Sequence, residues 1–527
     1  MLVGTSGWAF TVALAVYAFD RSGAGAVGVV TAARLLPAMF AAPLTGGLID
    51  RSDRARLVAA ACLIQAACLG IAAALVSGHA SLVAIVVLAA VSSAAATAPR
   101  PALQALMPAL ADSPEELIRA TAAWGAIDNT SFLLGGGAGG AAIAAVGAGA
   151  VVATAAVVVA LAAALAARLP SVTATAADGD DDDAGGFAGA FAGLRALVGA
   201  PMLRAPFGLF AGLLLLEGTT NVQLVALSIG KLGMGNGGPG VLYAVWGAGG
   251  VLGSGAMLTL VRRRGYGLAL ALGAVGFAAG LALSGVDGIP VAVAAMIPAG
   301  LGFALVETGV TALVPRLADD AIVGRVYALS EILYAGAGGV GALIAPPLIN
   351  AFGAAGSLAA VGIAFGLGAL LAWRSYGRLD VGQAEAGRVR ELLRGVRFLE
   401  PLPLPRLERL VRGARAVTIG AGGAVVRAGE HGEEFFVIED GTVEIEEFGR
   451  RLGPGTGFGE IALLRDVPRT ATVRAVTDLR LWAVTRQSFI AAVNGHGDAT
   501  TLAEAVVAEH LARPRPGQPD DDRLDQP

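Results

Sequence analysis

Residues 458–473 read FGEIALLRDVPRTATV, and their types and spacing suit a loop that holds one phosphate group. Gly459 lets the backbone come close to a ligand, and the helical turn expected over EIALL presents free N–H groups to an anion. Arg469 follows with a charge-assisted, two-pronged contact of the kind phosphate favours. A second group of chemistry-bearing residues stands inside apolar sequence: Asp128, Glu217, Glu307 and Glu331, with Arg34 and Arg100 as partners. A charge at the centre of a bilayer costs about 2.5 to 3.5 kcal/mol on insertion scales, so each needs a reason. Handling protons or substrate is one reason; a structural ion pair or a side chain snorkelling to the interface is the other. Glu217 follows four leucines at mid-span and is the first candidate for handling, Asp128 the second. Glu331 lies near the inner end of its span and reads as a snorkelling residue.

Composition places these two groups in different parts of the chain. With 55% hydrophobic residues, 15% charged residues and a mean hydropathy of +0.70, the 527-residue chain is that of a membrane protein. Residues 1–373 hold 34 of the 78 charged residues and residues 374–527 the other 44, so a boundary is expected just after Trp373. A net charge of −4, thinly spread, gives no footprint for nucleic acid. Cys62 and Cys68 sit about 9 Å apart along one helix and face different directions, which puts a disulfide out of reach. The four histidines, at 79, 431, 496 and 510, show neither metal-ligand spacing nor a nucleophile and base pairing. No metal site, cofactor or enzymatic activity is expected.

Runs of 17 or more predominantly apolar residues cross a hydrocarbon core of about 30 Å as helices. Twelve are expected, near 3–19, 27–49, 57–77, 81–108, 119–146, 148–167, 205–230, 238–261, 266–285, 289–314, 323–349 and 354–373. Of the 16 basic residues in this part, Arg21 and Lys231 alone fall in odd-numbered loops, whereas twelve lie at even-numbered ones. Basic loops stay in the cytoplasm, so both termini are expected there, in a multi-pass protein of the plasma (inner) membrane. ALMPALAD at 105–112 recurs as ALVPRLAD at 312–319, six spans on, as two six-helix halves related by an axis along the membrane normal would give.

At this point the chain resembles the major facilitator superfamily. GGLIDRSDRAR, after the second span, is similar to the superfamily signature GxxxDRxGRR, with Gly46, Asp50, Arg51 and Arg54 in register. Asp53 stands where glycine is usual and Ala55 where a basic residue is usual. The resemblance implies that this loop locks the two halves on the cytoplasmic side, with the carboxylate near a helix N-terminus. The preceding GAGAVGVVTAARLLPAMFAAPL looks like the drug and siderophore exporters of that superfamily. Their antiporter signature is only loosely echoed by LLGGGAGG at 133–140, which lacks the proline, so proton exchange is the weaker part of the expectation. The acidic run Asp180–Asp183 lacks the loop spacing of a calcium site and reads as a solvated linker between halves.

Beyond a short linker, a helix-like stretch gives way to short strands. FFVIEDGTVEIEEF alternates, and its Asp440-Gly441 pair predicts a hairpin turn. Helical patterns resume in RQSFIAAV and TTLAEAVVAEHLAR, and the final residues read as disordered. Over about 388–495 the chain resembles cyclic nucleotide-binding domains, whose phosphate cassette matches at Phe458, Gly459, Glu460, Ala462, Leu463, Pro468, Arg469, Thr470 and Ala471, with Ile461 inside the helical turn. The resemblance implies that Arg469 pairs with the cyclic phosphate and Glu460 accepts from the ribose 2′-hydroxyl. Thr470 is compatible with cGMP, whose 2-amino group meets a hydroxyl here in some family members, and equally with cAMP.

The expected fold is an α-helical polytopic membrane protein of twelve transmembrane helices, plus a C-terminal α+β domain with a β-roll. Its segments are the halves 1–167 and 205–373, the linkers 168–204 and 374–387, the nucleotide domain 388–512 and the tail 513–527. The expected function is a secondary transporter, an exporter of an unknown small molecule in a lipid bilayer, coupled to protons and regulated by cAMP or cGMP. A receptor that keeps the transporter fold without transport, and a transporter whose tail is purely structural, stay open as alternatives.

Overall fold

The computed structural model describes residues 2–51, 53–78, 80–99, 114–168, 193–195, 197–198, 201–317, 320–402, 404–493 and 497–511. Two compact units result, Met1–Leu379 and Asp380–Pro527. Arg100, the first repeat copy, Asp180–Asp183 and the residues after Leu511 lie outside the described residues.

The first unit is helical: α1 (Leu2–Arg51), α2 (Arg54–Ser77), α3 (Leu82–Ala95), α4 (Pro114–Ala166), α5 (Pro201–Val225), a π-helical turn (Ala226–Lys231), α6 (Gly238–Arg264), α7 (Tyr266–Ser284), α8 (Ile289–Leu317), α9 (Asp320–Leu371) and the start of α10 (Trp373–Gly395). Among the described residues, 8 helices are long and apolar enough to cross a membrane. Three of them, α1, α4 and α9, break at Gly23 (φ 69°), Gly147 (φ 80°) and Gly353 (φ 71°). Each break falls between two expected spans, at a left-handed backbone that glycine adopts without strain. The expected fourth span, 81–108, begins as α3; its second half lies largely outside the described residues. The signature loop joins α1 to α2. Asp53 caps α2, accepting from the Ala55 and Arg56 N–H groups at 3.0 and 3.3 Å. Gly46, Asp50, Arg51 and Arg54 are helical, with side chains outside the description.

The linker expected at 374–387 is instead helical and forms part of α10. Three of its fourteen residues are glycine but none is proline, so no position lacks the backbone N–H that the helix needs.

The second unit continues through α11 (Leu404–Gly413), β1 (Ala414–Ile419), β2 (Ala424–Val426), β3 (Glu434–Asp440), β4 (Val443–Ile445), β5 (Arg450–Leu452), β6 (Gly457–Phe458), α12 (Glu460–Arg465), β7 (Val473–Ala475), β8 (Leu479–Thr485), α13 (Arg486–Val493) and α14 (Gly497–Leu511). Two antiparallel sheets form, ordered β1-β8-β3-β6 and β2-β7-β4-β5. β3 is covered on both faces, and its side chains alternate between two cores. Phe435 and Val437 pack with the helices, around Leu393, Phe398 and Phe489. Phe436 and Ile438 pack between the sheets with Val443, Phe458 and Leu481.

The Asp440-Gly441 turn forms, with Gly441 at φ 95° and its N–H donated to Asp440 Oδ1 at 2.9 Å, but it does not close the expected hairpin. β8 and β6 already occupy the edges of β3, so the turn carries the chain into the other sheet, where β4 pairs with β5 and β7.

Candidate functional site

In the second unit, Gly459 (φ 96°) ends the bonded part of β6 and caps α12, and Asp466 (φ 53°) closes that helix. A Cβ on Gly459 would stand 2.5 Å from Arg469 Nη1, so the site needs glycine for both space and backbone shape. Arg469 is only 6% exposed. Its Nη1 donates to the Gly459 carbonyl at 3.0 Å and its Nη2 to the Glu434 carbonyl at 2.6 Å. The guanidinium lies 5.8 Å over the Phe436 ring, which stacks on Phe458 at 5.4 Å between centroids. Its backbone is fixed as well, by N–H donation to the Glu430 carbonyl at 2.8 Å and acceptance from the Gly429 N–H at 2.9 Å.

Burial lowers the Arg469 pKa from its ordinary value, opposed by the carboxylates of Glu434, Glu460, Glu430 and Glu433. An arginine stays charged throughout the physiological range, so the site presents a fixed, partly desolvated cation. Glu460 is buried at 4% exposure beside it. Phe458 to Ala462 and Arg469 to Ala471, all eight residues expected to contact a nucleotide, line one cavity of about 370 Å³. Its far wall is apolar, from Val426, Ile445, Phe448 and Val473, and α14 contributes Val506. The cavity thus pairs an anion-seeking end with an apolar slot.

In the helical unit, polar groups converge from several helices. Arg34 of α1 donates to Thr11 Oγ1 and lies within electrostatic reach of Glu217 of α5 and Tyr243 of α6. Tyr243 donates to Asn221 Oδ1 at 2.9 Å, and Tyr334 of α9 donates to Glu307 of α8. Glu217 and Glu307 are within electrostatic reach of each other. The two halves meet tightly at the end of the bundle opposite the signature loop. There a Cβ on Gly140 of α4 would stand 2.4 Å from the Gly240 Cα of α6, and Asn236 Nδ2 donates to Asp20 Oδ2 at 3.1 Å.

Residues 1–342 match the family model of the Major Facilitator Superfamily. The chain belongs to that superfamily. Residues 416–496 match the model of the cyclic nucleotide-binding domain, so this superfamily member carries such a domain at its C-terminal end. Among solved structures it is similar to a variant of the nucleoside transporter NupG, at 15% identity and a TM-score of 0.57, over 72% of this chain and 97% of that one. The regulatory domain of Toxoplasma gondii PKA with cAMP matches at 26% identity and a TM-score of 0.22, over 24% of this chain and 51% of that one. A cAMP-bound PfPKA-R matches at 21% and 0.23, over 26% and 52%. The chain spans about half the length of these two regulatory chains.

Of the transport residues expected from sequence, the structure brings Arg34, Glu217 and Glu307 together. Asp128 lies on α4 with its side chain outside the description. Glu331 is exposed on α9. Sequence reasoning missed Tyr243, Tyr334 and Asn221; lone polar residues in long apolar helices were the available signal. It also missed the Asp53 cap, although Asp immediately before a helix start is a recognised cap signal.

Proposed function

We propose that this superfamily member exports a small molecule from the cytoplasm and that cAMP or cGMP, bound in the second unit, biases its switching. The observation that carries the reading is the buried Arg469, held between Gly459 and Glu434 in the lining of a cavity that Glu460 also lines. A ribose 3′,5′-cyclic phosphate suits that set: Arg469 and the α12 turn take the phosphate, Glu460 accepts from the 2′-hydroxyl, and the apolar slot takes the base.

Both termini are placed in the cytoplasm of a cell with this protein in its plasma membrane, by the asymmetry of the basic loops. The tight end with Asp20 and Asn236 then faces outward, and the conformation is closed to the outside. Glu217, Asp128 and Glu307 exchange protons, Arg34 and Arg100 provide counter-charge, and Gly46, Asp50, Arg51 and Arg54 form the inner gate. A nucleotide shifts this transporter only through a difference in its affinity for the two states.

Calorimetry on the full chain in nanodiscs, titrated with cAMP and cGMP, tests the site. Binding that Arg469→Ala removes supports the reading; no heat with either nucleotide from a folded protein refutes it.

A further inference from the structure

Among the described residues, the α5 segment from Glu217 to Gln223, with the π-helical turn after it, carries two kinds of polar side chain. The first kind is satisfied within the protein. Thr219 donates within reach of the Leu215 and Gly341 carbonyls at 2.9 and 3.1 Å, Asn221 accepts from Tyr243, and Ser228 bonds the Leu224 carbonyl at 2.7 Å. These are the bonds expected of polar groups that join or brace membrane helices. The second kind is not satisfied. Thr220 and Gln223 are both 0% exposed, and neither the Thr220 hydroxyl nor either polar atom of the Gln223 amide has a hydrogen-bond partner. Glu217 has no hydrogen bond among the described residues and is tied to its surroundings electrostatically, through Glu307 and Arg34.

Glu217, Thr220 and Gln223 are spaced three apart, so each is the next one's neighbour and the row slants up one side of the helix. The row leads toward the closed end of the bundle: a Cβ on Gly230, roughly 10 Å further along by helical rise, would stand 3.5 Å from the Phe19 ring of the opposite half. The π-helical turn Ala226–Lys231, which contains Gly230, is a local irregularity of a kind frequent at functional sites. Groups left without partners in a bilayer interior, where neighbours of the same helix are fully bonded, fit a role that another molecule completes.

We infer that Glu217, Thr220 and Gln223 form a solute-recognition row, uncovered when the closed end opens. It takes a hydrophilic solute that carries an ammonium group and hydroxyl or amide groups along one edge. In its ionised form Glu217 only accepts, and so faces the ammonium; Thr220 and Gln223 each offer a donor and an acceptor. A lipophilic cation would satisfy Glu217 and strand the other two. The inference rests on the reading that the helical unit moves solutes.

The test is accessibility in membranes of full-length chains whose Cys62 and Cys68 are replaced by serine. Thr219→Cys, Thr220→Cys, Gln223→Cys and Ser228→Cys are challenged singly, from either face, with a membrane-impermeant methanethiosulfonate. Thr220→Cys and Gln223→Cys are expected to react faster than the two braced positions by roughly tenfold or more, since the latter are reached only by local opening. Equal rates at all four positions overturn the row. Reaction from both faces supports transport; reaction from one face alone keeps the row and overturns the transport reading on which it rests. Glucosamine is expected to slow labelling of Thr220→Cys about twofold at a concentration equal to its Kd, and to lose that protection when Gln223→Leu is added. Protection by ethidium alone, or by neither probe, overturns the solute class. Gln223→Leu by itself leaves Tm unchanged or raised; a fall marks a structural glutamine and overturns the row independently.

Discussion

Arg469 donates to the carbonyl of Gly459 at 3.0 Å, so the cation of the cavity and the glycine that shapes its loop are a single hydrogen-bonded unit. A guanidinium has five N–H donors and Arg469 directs two at carbonyls, so a phosphate that meets the others is linked through the same group to the backbone where β6 meets α12. Because the second Arg469 bond reaches Glu434, the start of β3 is tied to the same event.

Arg469→Ala removes the cation together with its backbone bonds. Charge-assisted hydrogen bonds contribute about 1.5 to 3 kcal/mol, so nucleotide affinity is expected to fall roughly 100-fold. Arg469→Lys, which keeps the charge and loses the fork, recovers part of it. Calorimetry with both variants checks the order.

Gly459→Ala places a side chain on a left-handed residue and against Arg469. The backbone cost is about 1 to 2 kcal/mol, and nucleotide binding is expected to be lost while the two apolar cores keep the second unit folded. Circular dichroism alongside titration separates the effects.

Asp53→Ala uncaps α2 and is expected to destabilise the protein by about 0.5 to 2 kcal/mol, whereas Asp53→Gly costs only a few tenths. That difference accounts for glycine serving at the same place in the superfamily signature. Thermal unfolding in one detergent provides the comparison.

Gly140→Leu inserts bulk where α4 and α6 backbones touch. Overpacking costs about 1 to 3 kcal/mol, and the closed end is expected to open. Disulfide formation between Asp20→Cys and Asn236→Cys should slow in this background.

Beyond the pH dependence that thiolate formation gives every disulfide, the same cross-link is expected to form at a rate that varies further with pH in the native background and to lose that extra variation with Glu217→Gln. Glu217→Gln leaves the Arg469 cavity intact, so nucleotide still binds, and a change in its affinity reports the shift between transporter states.

The nucleotide cavity was legible because its chemistry is local: glycine, helical turn and arginine fall within one short stretch. The same locality misled at Asp440-Gly441, where a turn signal cannot say which sheet receives the next strand. The helical course of 374–387 was missed because the shift in charge after Trp373 marked a boundary, and a boundary in composition does not say whether the chain across it is helical. Membrane spans followed from hydropathy, and the breaks at Gly23, Gly147 and Gly353 fall between the spans so drawn. The Gly140 and Gly240 contact was not legible, since nothing distinguishes those two glycines among 76 until the halves are brought together. Thr220 and Gln223 likewise read as ordinary polar residues until their lack of partners is seen in three dimensions.

The central claim is that nucleotide binding biases transporter switching. The most direct measurement is the rate of disulfide formation between Asp20→Cys and Asn236→Cys in nanodiscs, with and without saturating cAMP or cGMP, and with Arg469→Ala as control. The account predicts that one nucleotide changes the rate in the native background and leaves it unchanged in the Arg469→Ala chain. A rate indifferent to a nucleotide that calorimetry shows to be bound would contradict it.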